Sequence, residues 1–416
     1  MIIYYILLAV LVAAGIILCR STKGEIAYLL SSGLAFFIIS AIRRFVGVDY
    51  NSYATMYFDF NFYSIEELTS ERTEKGFIVF FKILSDLFTD MQAMFTLIAF
   101  AVAAAVVIYI YKNSSIKWVS CAAFLVFGLY FNSMNFLRQI LAALIVTYAF
   151  KYVYSKQFFR YLVLVLFASC FHMSALLAIP FFFILQIKLN YISLSLYCAV
   201  TALIYMNSTQ LMELVTTYFY KNYDPKTSVE MMNGLTWEYT LIFAVFFIAA
   251  FLLRKRLEKR NPFNSVLISC MFFALFFEFI GTKHAIISRF ALLFLIAPVL
   301  ALTPEIVQVI TGYLSERFKD DKKRRLVFQG CSYAAIAVYG ISIFSNFLIH
   351  NYNSVVPYTT IFSEIEEGTV TYKYNETIIP GEFEEDEYNP DDFAPDDVEE
   401  IVTPEDFEGG KVIKIT

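Results

Sequence analysis

Nucleotide-binding motifs are missing from this chain of 416 residues. It has no GxxxxGK[ST], no GxGxxG after a strand pattern, and no metal-type DxD in the loops assigned below to the outer side. An enzyme that draws on cytoplasmic nucleotide sugars is therefore disfavoured. Cysteine is scarce. Cys19, Cys121, Cys170, Cys198, Cys270 and Cys331 all lie within or at the ends of apolar runs, with no CxxC pair and no His-rich spacing. They read as small core residues, not as ligands or disulfides. Charge is also sparse, at 17% of residues, which is too little for an ordinary soluble surface. Period-2 alternation is absent from the apolar segments, which excludes a membrane β-barrel. The first apolar run, residues 2–19, lacks a basic leader region and a cleavage site, and its first basic residue, Arg20, follows it. It reads as a retained helix. No repeat of fixed period is evident, nor the symmetry of an inverted-repeat transporter.

What the chain has instead is apolar length. Hydrophobic residues make up 59% and aromatic residues 18%, with a mean hydropathy of +0.61. The composition predicts an all-α, polytopic membrane protein with about twelve spans: 2–19, 26–42, 92–111, 118–131, 136–154, 160–171, 174–187, 191–206, 236–253, 263–281, 286–303 and 326–348. The runs 160–171 and 174–187 are short and are expected to be broken or re-entrant around His172, and the half-apolar stretch 76–88 to dip into the membrane. Residues 1–349 form the membrane domain, with residues 43–90 as its largest outer loop. Residues 350–416 form an acidic, Pro-punctuated tail, expected to be largely disordered, in which TVTYKYNETII and KVIKIT could pair as short strands.

The densest basic clusters, RKRLEKR (254–260) and RFKDDKKRR (317–325), are expected to face the cytoplasm. Alternation then puts both termini outside. The polar residues that sit awkwardly in or beside apolar runs then fall on the outer side, including Arg43, Arg44, Asp49, Glu74, Asn135, Arg138, Gln139, His172, Glu278, His284 and Arg289. One wet, charged cavity opening outward is the expectation.

An arginine at the centre of a membrane helix costs roughly 2.5–3.5 kcal/mol on insertion scales, and less near an end. In NSMNFLRQILAALIVTYAF (132–150), Asn135 can cap the helix while Arg138 and Gln139 occupy its first turn. The helix dipole repels a cation there, and an anion held by Arg138 and the free N–H groups would reverse that cost. Arg289 repeats the pattern in HAIISRFALLFLIAP (284–298), with Glu278 as its obvious ion-pair partner. Arg43 and Arg44 would lie at the membrane surface, where a guanidinium can grip a lipid-linked phosphate or snorkel to headgroups. Gly47 allows a tight turn before Asp49. The spacing of Tyr50, Tyr53 and Tyr57 makes one aromatic helical face, suited to stacking on sugars or to an interfacial belt. Glu74 is a base or a helix cap, and His172 a base or a hydrogen-bonded core residue.

In this order, RRFVGVDYNSY, TEKGF, NFLRQILAA, CFHMSALLAIP, ISRFALLF and NSVVPYTTIF resemble the EpsG-like family of bacterial exopolysaccharide and capsule polymerases, related in role to Wzy-type polymerases. The likeness spans most of residues 26–362. It implies a glycosyltransferase-type polymerase in the bacterial cytoplasmic membrane, joining undecaprenyl-diphosphate-linked oligosaccharides on the outer face. By position, Arg43 or Arg44, Asp49, Glu74, Asn135, Arg138, Gln139, His172 and Arg289 carry the family pattern. Cations are needed for the departing diphosphate and a base for the acceptor, with Glu74, Asp49 and His172 left open for that role. Arginines can do this without a metal, and no cofactor is expected. Expected partners are the lipid-linked substrates, membrane lipids, and a flippase and chain-length regulator of the same pathway; no nucleic acid is expected. The alternative function is a lipid-linked oligosaccharide flippase or transporter.

Overall fold

The computed structural model describes residues 1–62, 74–88, 90–210, 237–318, 321–351 and 353–363. The proposed short strands of the acidic tail lie outside the described residues. Every regular element among those described is helical. In lipid, each backbone N–H and C=O must find its partner within the segment, which long apolar helices accomplish. Five helices are long and apolar enough to cross a membrane: Thr22–Ala41, Met91–Asn113, Asn264–Gly281, Ala285–Arg317 and Lys322–His350. Six shorter apolar helices accompany them, including Ile2–Leu18, Tyr191–Met206 and Trp237–Leu252. The protein is an all-α, multi-pass membrane protein.

The helix ends follow local chemistry. Ser21 accepts from the Gly24 N–H at 3.1 Å, Asp90 from Gln92 at 2.8 Å and Asp321 from Arg324 at 2.9 Å, each satisfying a donor that the first turn leaves orphaned. One expected span is divided, and the expected interruption around His172 has a 3₁₀ turn in it. The run 118–131 splits at Gly128 into Lys117–Val126 and Leu129–Asn135. The chain also breaks around His172, where Phe158–Ser169 gives way to a 3₁₀ turn, Met173–Leu177, and then Ala178–Ile184. Only Cys121 and Cys270 are core residues; Cys170, Cys198 and Cys331 lie on exposed faces, and all six cysteines are free.

Leu137–Tyr154 is the inner helix of the bundle. Small and branched residues, Ala142, Ala143, Val146 and Ala149, let Phe158–Ser169 and Ala291–Ala297 pack closely on it. Its first turn thereby reaches the loops at one end of the bundle. The composition-based boundary at residue 350 cuts through a packed segment: residues 353–361 return to this same end. Ser354 O accepts from Gly47 N–H at 3.0 Å, Thr359 O from Arg44 N–H at 3.1 Å, and Ile361 N–H donates to Ile42 O at 3.0 Å. Asn353 donates to Asn132 Oδ1 at 2.8 Å and accepts from Asn135 Nδ2 at 3.1 Å.

Candidate functional site

The site draws on residues at five helix ends. Gly76 opens the helix Lys75–Leu87 against the turn at Cys170. A Cβ there would lie 2.5 Å from Cys170 Cβ and 2.6 Å from its carbonyl oxygen, so only glycine allows the approach. Phe77 N–H then donates to Cys170 O at 2.9 Å. This docking delivers Glu74, whose Oε1 accepts from Met173 N–H at 2.9 Å and whose Oε2 accepts from Arg138 Nη1 at 2.8 Å. Glu74 occupies a helix N-cap position without making the cap bond. Its carboxylate is instead clamped between Arg138 and the His172 turn.

Arg138 keeps partial exposure, with its side chain 28% accessible against 10% for Glu74. The guanidinium carbon sits 5.6 Å from the Phe77 ring centre, and its Nε is buried without a hydrogen-bond partner. The next residue fixes the second cation: Gln139 Nε2 donates to Arg289 O at 2.6 Å, and the Arg289 guanidinium lies 5.3 Å from the Phe136 ring centre. Adjacent residues of one helical turn thus anchor both arginines. Glu278, the expected partner of Arg289, is buried and forms no ion pair within 4 Å among the described residues. Arg289 is held through its backbone and turned onto Phe136 instead.

Asp49 lies in the turn after Gly47, whose φ of +114° suits glycine. Its charge interacts with those of Arg289 and Arg138, although burial, the stronger influence, pushes its carboxyl above the ordinary aspartate range. No side-chain hydrogen bond or ion pair of Asp49 occurs among the described residues. His172 caps the 3₁₀ turn: Nδ1 accepts from Ser174 N–H at 3.2 Å and lies 2.7 Å from Ser174 Oγ. An Nδ1 that accepts is unprotonated, so the neutral ring carries its proton on Nε2. Burial lowers the His172 pKa; Glu74 opposes this, and Arg138 and Arg289 add to it. His172 is therefore a neutral donor in this arrangement, with the lone pair a base would need already engaged.

Asp49, Glu74, Arg138, His172 and Arg289 lie at the same end of the bundle. The other candidates take different places. Arg43 is 1% exposed, and its fork donates to Ser40 O at 3.1 Å and Met134 O at 2.9 Å over the Phe95 ring. It is a structural clasp, walled off from any diphosphate, while Arg44 remains exposed beside Phe45. Asn135 ends the helix Leu129–Asn135 and binds Phe131 O and Asn353 O rather than capping the next helix. The aromatic face is not a sugar platform here. Tyr50 stacks on Phe95 at 4.4 Å, and Tyr57 is fully buried and donates to Leu84 O at 3.1 Å. Tyr53 is also buried, with its phenol pKa raised by burial and drawn down by the neighbouring Arg138. Three to four residues apart, these rings point into the adjoining helices. Sequence reasoning quoted Asn353 and Ser354 within NSVVPYTTIF without giving them a role, and missed Gln92, which donates to the carbonyls of Ala41 and Arg43. Polar residues flanking VVPY were the available signal for the first two.

Among the described residues, no three His, Cys, Asp or Glu side chains are grouped so as to hold a metal ion. Compared with known protein families, residues 26–360 match the EpsG family. The chain belongs to that family. The match takes in every residue of the site, from Arg43 to Arg289, and ends at the packed segment around Thr360. Membership in the EpsG family points to a polysaccharide polymerase in general terms. No curated protein and no solved structure matches the chain.

Proposed function

We propose that this EpsG-family chain polymerises lipid-linked oligosaccharide repeat units in exopolysaccharide or capsule synthesis, on the outer face of the bacterial cytoplasmic membrane. The observation that carries the reading is two held arginines whose charges act on a carboxylate, Asp49, that has no side-chain hydrogen bond among the described residues, at one end of a membrane bundle. In glycosyl transfer from a polyprenyl-diphosphate donor, the diphosphate leaves with the electron pair of the C1–O bond. Arg138 and Arg289 stabilise the charge that develops on the diphosphate, and cations already held in place do this with little reorganisation. The acceptor hydroxyl gives its proton to Asp49 as its oxygen bonds to C1. Glu74 acts as a positioning residue: both its oxygens are engaged, and it aims Arg138 while tying down the His172 turn. His172 Nε2–H is available as a neutral donor to a sugar or phosphate oxygen.

The charges are coupled usefully. Burial raises the Asp49 pKa in the free protein, and Arg138 and Arg289 offset part of that rise. Diphosphate binding neutralises them, so the basicity of Asp49 rises when the donor is in place.

A strain lacking the gene, carrying lipid-linked repeat units labelled in the sugar, tests the reading. Single units should accumulate on the outer face while longer chains disappear. Accumulation on the inner face would instead indicate a flippase. A narrower test concerns Gly76→Ala, which must push the Cys170 turn away and part Glu74 from Met173. Polymer yield per membrane-inserted protein should fall on the order of tenfold or more. Unchanged yield would remove the Glu74 clamp from the mechanism.

A further inference from the structure

Away from the charged site, an apolar cavity of about 980 Å³ lies among Ile2–Leu18, Lys117–Val126, Trp237–Leu252, Thr303–Arg317 and Lys322–His350. Leu8, Val12, Val126, Val245, Ile306 and Ala337 are among its walls. Two tyrosines that line it spend their hydroxyls elsewhere, Tyr5 on Ser345 Oγ and Tyr339 on Ile242 O, both at 2.8 Å. The wall therefore offers mainly methyl and ring carbon, which holds water poorly. Ile16 and Ile341 line the cavity and are still 49% and 54% exposed, so it opens on the flank of the bundle. In a multi-pass protein that flank meets the hydrocarbon of the bilayer.

One end of the cavity is basic. Arg20 donates to the carbonyl of the lining residue Ile16 at 3.1 Å. One turn beyond the lining residue Ile310, Tyr313 carries two more arginines: Arg256 lies 4.1 Å from its ring centre, and Arg317 donates to its hydroxyl at 2.7 Å. Arg20, Arg256 and Arg317 have no carboxylate within 4 Å among the described residues. Three guanidinium groups with no such partner among the described residues, attached next to residues that line or adjoin an apolar slot, complement one kind of molecule, with an anionic head and hydrocarbon chains.

We propose that this cavity is a binding site for an anionic glycerophospholipid, with its acyl chains in the slot and its phosphate among Arg20, Arg256 and Arg317. The site is separate from the Arg138 cluster, and the inference stands whether or not the polymerase reading holds.

The full-length protein, purified in mild detergent, should retain an anionic glycerophospholipid that mass spectrometry of the extracted lipid identifies. After delipidation, phosphatidylglycerol should raise the melting temperature more than phosphatidylcholine does. Arg20→Gln/Arg256→Gln/Arg317→Gln alters only the mouth and should abolish that preference, while Ala337→Trp, which fills the slot, should abolish retention of either lipid. The proposal is overturned if wild-type protein retains no glycerophospholipid, if a polyprenyl phosphate is retained instead, or if the triple variant keeps the full preference for phosphatidylglycerol. Should Ala337→Trp fail to fold, the wild-type and triple-variant measurements still decide the matter.

Discussion

Arg138→Ala is expected to lower polymer synthesis on the order of 10²–10³-fold, the scale of losing one preorganised charge-stabilising donor. It is also expected to lower the amount of folded protein, because Glu74 would be left largely buried without its counter-charge. The two effects can be separated, since the carboxylate that Arg138 neutralises is Glu74. Arg138→Ala/Glu74→Gln removes both charges, so membrane abundance should recover while polymer stays absent. Arg138→Lys keeps the charge and loses the planar fork that reaches Glu74 through one nitrogen and leaves others for the substrate. It should restore only a small part of the activity. Polymer of normal length from the double variant would show that Arg138 serves only to neutralise Glu74, and would end its assignment to the donor diphosphate. Membrane immunoblots and polymer sizing on the same cultures supply both readings.

Much of this site was legible because charge in an apolar run is costly and so stands out. Arg138, Arg289 and His172 each interrupt hydrophobic sequence, while Asp49 and Glu74 stand in polar stretches beside apolar runs, and the fold brings all five to one end of the bundle. What the sequence hid was which carboxylate meets which cation. Glu278 lies nearer to Arg289 in the chain, yet it faces the buried side of Asn264–Gly281, while Glu74 reaches Arg138 only because Gly76 lets one helix dock on a distant turn. Pairings of that kind depend on tertiary approach, which no local pattern encodes. Arg43 misled for the opposite reason. Next to Arg44 it looks like half of a surface pair, but backbone carbonyls released at two helix ends, Ser40 O and Met134 O, claim its fork. The tyrosine face was read with the correct helical spacing and the wrong surroundings, because periodicity identifies a face but not what covers it. The tail boundary failed likewise: Asn353 and Ser354 look like loop composition and act as a strap through hydrogen bonds to Asn132, Asn135 and Gly47. Helices and their order followed from hydropathy with less difficulty, since the bilayer leaves the backbone few alternatives.

Asp49→Asn should abolish polymer synthesis, by roughly 10²–10⁴-fold if the carboxylate is the base that takes the acceptor proton, with little change in abundance because no partner among the described residues loses a bond to it. The pH profile supplies the independent check. A base works deprotonated, so activity should fall as pH drops through the Asp49 pKa. Burial raises that pKa, so the decline should begin above the ordinary aspartate range. His172 could produce a similar limb, because burial moves its pKa down toward the same region. Substitution separates them. His172→Gln removes the ring's titration and retains a neutral donor, so it should lower the rate and leave the acid limb in place. If His172→Gln abolished the limb while Asp49→Asn kept measurable polymer, the base would be His172, and the ring would have to exchange its Ser174 cap for a protonated Nδ1. The arrangement favours Asp49: its charge interacts with those of both arginines and its carboxylate makes no side-chain hydrogen bond among the described residues, whereas Glu74 and His172 have committed theirs to holding the site together.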